Sequence, residues 1–143
     1  MAGKLSPHAQ MKLASLQAMS DKVQRVYGLV ERFAAAREPR QAEMLALPVR
    51  RAFGRLKLEL MGAGLDTLSQ LAGSMEIAAR RGASHQTKTR ILREGIGSLR
   101  FQVEMEQRKI LSDEAAARAE EAAARAEEPA DRDPDAQREP GTD

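Results

Sequence analysis

The 143-residue sequence has no cysteine and no tryptophan, and its aromatic residues are three Phe and one Tyr. The first absence excludes a disulfide framework and any thiolate metal site. With aromatic and β-branched residues scarce, the chain has few of the side chains that strands favour. A core must then be built from Leu, Met, Val, Ile and a few Phe, packed helix on helix, which predicts an all-α fold. No apolar run approaches the ~18 residues that a membrane span requires. The opening MAGKLSPHAQMKL holds no uninterrupted apolar stretch of the kind that marks a secretory leader. These absences lead to an expectation of a cytoplasmic protein with no membrane partner.

Charge is present in quantity and unevenly placed. Residues 1–110 carry 19 Lys and Arg against 10 Asp and Glu, or +9, whereas residues 111–143 carry 4 against 11, or −7, which together give the net +2. A basic body joined to an acidic tail points to contact with nucleic acid or another polyanion. The competing reading is an ordinary solvated face that binds nothing.

Hydrophobic periodicity predicts four helices. Ser6 suits an N-cap and Pro7 the first helical position. Leu16, Met19, Val23, Val26, Val30 and Phe33 then recur at three- and four-residue steps as one apolar stripe. That helix should end near Arg37, since Pro39 disfavours helical geometry at Glu38. A second helical stretch spans roughly 40–61, with Pro48 expected to restart it after a short turn and Val49, Phe53, Leu56 and Leu60 facing inward. Gly62-Ala63-Gly64 should stop it. Asp66 is the expected cap of a third helix, Thr67 to Arg81, with Leu68, Leu71, Met75 and Ala78 inward and Gly82 as a left-handed terminator. Ser84 should cap the fourth, whose stripe is Leu92, Ile96, Leu99, Val103 and Ile110. Connections this short make successive helices antiparallel neighbours.

The expected architecture is therefore an antiparallel four-helix bundle with a helical, acidic C-terminal extension. Residues 1–15 form an N-terminal extension and the start of the first helix, 16–112 the bundle, and 113–143 a spacer and tail. Within that last part, 113–119 and 120–126 nearly repeat, with Glu114→Arg118 and Glu121→Arg125 as favourable i,i+4 pairs. No apolar residue there is larger than Ala, so the piece reads as a solvated, partly helical spacer. The composition after Pro129 is that of disorder.

Catalysis finds little to stand on, and no catalytic residue, metal ligand or cofactor is expected. His8 and His85 are the only histidines, and neither belongs to an HExxH-like pattern, so both are expected to be surface residues. No carboxylates repeat at the Glu-x-x-His spacing of a di-metal bundle. Gly95-Ile96-Gly97 lies mid-helix and follows no strand, so it is no phosphate loop. Gly54, Gly73, Gly95 and Gly97 are instead expected to let helices approach closely, because glycine inside a helix otherwise costs about 0.5–1 kcal/mol relative to Ala. Leu29, Leu58, Met61, Ile77 and Phe101 fall off the main stripes, and apolar residues grouped outside a core mark interfaces.

The basic clusters are the stronger signal. They are Arg50, Arg51, Arg55 and Lys57; then Arg80 and Arg81; then Lys88, Arg90 and Arg93. The last two flank one interhelix turn and can form a single patch. Arg presents a planar fork of donors that suits phosphate. With so few aromatics, base stacking is weak. Binding to RNA, or to DNA, should therefore be directed at the backbone and sensitive to salt.

The stretch from Asp21 to Leu111, 91 of the 143 residues, resembles a family of four-helix-bundle proteins. That family includes the 23S rRNA intervening-sequence proteins and the accessory variability determinants of diversity-generating retroelements. Three pieces carry the resemblance: LVERFAAAREPRQAEMLALPVRRAFGRLKLELMGAG; LDTLSQLAGSMEIAARRGASHQTKTRILREGIGSLRFQVE; and, late in the fourth helix, Ile96-Gly97-Ser98-Leu99. The acidic EAAAR tail lies outside it. The resemblance implies a barrel-shaped homopentamer whose basic surface binds nucleic acid and the retroelement's reverse transcriptase. On that reading the protein is a non-catalytic partner in mutagenic retrohoming. A purely structural helical adaptor, its clusters solvated, is the alternative.

Overall fold

A computed structural model describes the backbone of residues 5–137 and the side chains of residues 5–127. Four helices follow one another with short connections: α1 (Pro7–Ala34), α2 (Pro39–Gly62), α3 (Asp66–Arg80) and α4 (His85–Gln137). Among the described residues there is no strand. Helix α1 packs on α2 and α4, and α3 packs on the same two, which closes an antiparallel four-helix bundle. None of the described helices is long and apolar enough to cross a membrane.

The starts and stops follow local chemistry in most places. Ser6 accepts from the Ala9 N–H at 3.1 Å and caps α1, with Pro7 in the first turn. Ser84 accepts from the Thr87 N–H at 3.1 Å at the start of α4. Gly64, at φ +78°, ends α2: its N–H reaches the Met61 carbonyl at 3.0 Å and Leu65 N–H reaches Leu60 at 2.9 Å. That bond pair is the Schellman arrangement, which needs a left-handed residue after the helix.

Five boundaries differ from expectation. Helix α1 stops at Ala34 and not near Arg37, because the chain turns there to bury Ala36, although Glu38 is extended before Pro39 as anticipated. Pro48 neither restarts nor interrupts α2. Ala42, seven residues before Val49, is buried on the same stripe, so both halves of the helix pack in phase on one core, and this outweighs the hydrogen bond that Pro removes. Asp66 is the first residue of α3 and not its cap; Leu65 holds the cap position, with no side-chain bond. Helix α3 ends because Arg81 turns extended at φ −69° and ψ 151°, and Gly82 is not left-handed. Helix α4 continues past Pro129 to Gln137, through part of the stretch whose composition suggested disorder; residues 138–143 lie outside the described residues.

The core is the expected apolar stripe set on α1 and α2, and on α4 as far as Val103, with the expected Ile110 only partly buried. Val23, Val30, Phe33, Val49, Phe53, Leu56, Leu60, Leu92, Ile96, Leu99 and Val103 are fully buried. Each such side chain contributes about 1.5–3 kcal/mol relative to exposure. Ala9 is also buried, ahead of the contiguous core cluster, which begins at Leu16. On α3 the buried set is Leu68, Ser69, Ala72, Met75 and Ala79, with the expected Leu71 and Ala78 only partly covered. The small residues take the closest approach. Ser69 is the single buried polar residue of the described core, and its hydroxyl donates to the Lys57 carbonyl at 2.9 Å.

Candidate polyanion-binding site at the basic end

The bundle end formed by the α1–α2 and α3–α4 connections gathers six of the nine cations singled out in the sequence. Arg50 on α2, Arg80 on α3, Arg81 after it and Lys88 on α4 line one open groove of about 570 Å³. Its floor includes Phe33, Ala42 and Ala79, and Glu43 is the acid in its wall. Arg90 and Arg93 line a neighbouring groove of about 690 Å³ on the α4 side, whose acid is Glu94. His85 belongs to both walls, so the two grooves adjoin at that residue.

The other three cations are placed elsewhere. Arg55 lines a separate groove of about 220 Å³ between α1 and α2, with Lys22, Arg25 and Glu59. Arg51 is exposed on the outer face of α2. Lys57 lies in the α2–α3 seam. The run Arg50-Arg51-Arg55-Lys57, continuous as sequence, is thus split over different faces by the 100° step of the helix.

Availability also separates these cations. Arg93 makes two 2.8 Å hydrogen bonds with the Glu31 carboxylate. Those bonds hold Glu31 below the usual carboxylate range and raise Arg93 above its ordinary value. Glu76 receives Lys57 at 3.4 Å and Arg80 at 3.7 Å. By contrast, the side chains of Arg50, Arg51, Arg55, Arg81, Lys88 and Arg90 form no ion pair or hydrogen bond among the described residues. Three of these, Arg50, Arg81 and Lys88, line the first groove.

His85 was missed as a wall residue. It is half-buried, its ring 4.6 Å from that of Phe33. Its Nε2 donates to the Ala34 carbonyl at 3.3 Å, while Nδ1 has no partner among the described residues. Fifty-one positions separate His85 from Ala34, and no local pattern encodes that contact. Lys22 and Arg25, which line the same groove as Arg55, were likewise not singled out in the sequence.

Among the described residues, no three His, Asp or Glu side chains cluster at metal-binding range. Of the off-stripe apolar residues, Leu58, Met61, Ile77 and Phe101 are exposed and Leu29 packs against the core. Comparison of the chain with known protein families, with curated proteins and with solved structures gave no match in any of the three.

Proposed function

We propose that this protein is a non-catalytic accessory protein that binds RNA through the groove at its basic end and acts in the cytoplasm beside a reverse transcriptase. The observation that carries the RNA-binding part is the convergence of Arg50, Arg81 and Lys88, from three parts of the chain, on one groove without carboxylate partners. Unpaired guanidinium and ammonium groups on an open concave surface suit phosphate oxygens. Three Phe and one Tyr leave little for base stacking, so recognition is of the backbone. The part that names a diversity-generating retroelement, its reverse transcriptase and a homopentamer rests on the family resemblance of residues 21–111. DNA is the alternative ligand, because backbone contacts of this kind suit either nucleic acid.

The test is binding of the full chain to a structured RNA across a salt series. Affinity should fall with salt, with a slope of about −0.7 to −0.9 in log K per phosphate neutralised. Arg50→Glu with Arg81→Glu should abolish binding while helicity is retained, and Arg51→Glu should weaken it far less. Binding that ignores salt, or that survives the groove reversal, rejects the reading. Co-purification with a reverse transcriptase encoded beside the gene checks the retroelement part separately.

A structural adaptor is the second reading, favoured by one observation. Met44, Leu47, Leu58 and Met61 are exposed on α2, and apolar residues grouped on an outer helix face suit a protein interface.

A further inference from the structure

The basic groove and the acidic extension stand at opposite ends of α4. His85, the first residue of that helix, is part of the groove wall. At the other end Ser6, which caps α1, donates to the Glu114 carboxylate from its N–H at 3.1 Å and its hydroxyl at 3.2 Å. At about 1.5 Å per residue, Glu114 lies ~44 Å along the helix from His85. Beyond Glu114 every side chain through Glu127 is exposed, Arg118 alone being half-buried. Helix α4 thus leaves the bundle as a rod whose carboxylates Glu120, Glu121 and Glu127 lie about 52–63 Å from the groove.

The near-repeat of seven residues gives the rod an acidic side. Seven residues are close to two turns, so Asp113, Glu120 and Glu127 align, with Glu114 and Glu121 beside them. Residues 113–137 hold nine Asp and Glu against three Arg, a net −6. No glycine occurs between Gly97 and Gly141 to let the helix reverse. A rod pointing away from its own groove cannot fill it.

We infer that the acidic rod of one copy docks in the basic groove of a second copy, head to tail, in the place that RNA takes. The inference rests on the reading of the groove as a polyanion site, because the rod offers carboxylates where RNA offers phosphates. Every copy carries one basic groove and one exposed rod of opposite charge, at equal concentration. The contact is heterologous, so association proceeds beyond a dimer or closes as a ring. RNA and the rod compete for the same cations, and self-association is therefore released by RNA.

The experiment uses the full chain and two charge-reversed variants. The rod variant is Glu120→Lys with Glu121→Lys and Glu127→Lys; the groove variant is Arg50→Glu with Arg81→Glu. Sedimentation at low salt should show the native protein in larger species that shrink as salt rises past ~0.1 M, where the Debye length is about 10 Å. Each variant alone should lose those species, and mixing the two should restore them, since the reversed rod now fits the reversed groove. Circular dichroism confirms that both variants are folded. Association that either variant retains, or that mixing fails to restore, overturns the inference. The two readings fail separately. RNA binding abolished only in the groove variant, with association untouched by both reversals, rejects the docking alone. Association lost in both variants and restored by mixing, with no RNA bound at any salt, rejects the RNA reading alone.

Discussion

Lys57 on α2 and Glu76 on α3 each occupy the space left by a glycine on the opposite helix. A Cβ on Gly73 would stand 3.1 Å from Lys57 Cδ, and one on Gly54 would stand 2.9 Å from Glu76 Oε2. The two charges meet at 3.4 Å, and Glu76 also holds Arg80 at 3.7 Å. Both glycines thus make room for long polar side chains and not for bare backbone, and through Glu76 the seam is tied to a cation of the basic groove.

Gly54→Ala displaces only the end of the flexible Glu76 side chain, so its cost is small. The loss of a half-exposed ion pair, about 0–1 kcal/mol, is offset by a helix propensity gain of about 1 kcal/mol. Chemical denaturation should show stability unchanged within about 1 kcal/mol, while RNA affinity holds or rises as Arg80 is released.

Gly95 and Gly97 are two residues apart, on opposite sides of α4, and should respond with opposite signs. Gly95 is buried, and a methyl group there collides with the Met75 side chain, whose Cγ would lie at 2.7 Å. Overpacking of this kind costs about 1–3 kcal/mol, so Gly95→Ala should lower the denaturation midpoint. Gly97 is exposed with nothing within 4 Å, so Gly97→Ala should stabilise by about 0.5–1 kcal/mol. An equal effect at the two sites contradicts the packing described.

Pro48 sits within α2 and deprives the Met44 carbonyl of its helical donor. Pro48→Ala should stabilise the bundle by about 1–3 kcal/mol, the propensity gain being reduced by the greater freedom of the unfolded chain. Thermal melting of the two proteins checks it.

Glu31 carries the pH dependence that the structure makes explicit. Its carboxyl is held below the ordinary 4.5 by the hydrogen bonds from Arg93. A depressed carboxylate stabilises the fold above its unfolded pKa, and that contribution is lost as pH falls through the folded value. The melting-temperature difference between the native protein and Glu31→Gln should therefore be present at neutral pH and vanish in acid below 4.5. The effect is small, since both side chains are largely solvated.

Much of the fold was legible because it is encoded at helical spacing. Leu16 through Phe33 on α1, Val49 through Leu60 on α2 and Leu92 through Val103 on α4 are buried as their periodicity requires. The caps at Ser6 and Ser84 and the stop at Gly64 were readable for the same reason, since each depends on three or four neighbouring residues. Pro48 was misread because local preference opposes a helix there, and only burial on both sides of it overrides that preference. On α3, Ala72, Ser69 and Ala79 were overlooked as inward residues in favour of larger Leu71; contact distance between helices, not hydrophobicity, chose them.

The sequence by itself determined the all-α class, the four helices, the core stripes and the separation of a basic body from an acidic tail, because these follow from residue type at intervals of a turn or two. Tertiary structure alone decided which cations stand together. Arg50, Arg81 and Lys88 come to one groove, Arg51 and Arg55 face elsewhere, and Arg93 and Lys57 are held by Glu31 and Glu76. Proximity across 31 to 62 positions is set by how helices pack, and a linear count of charge carries no record of it.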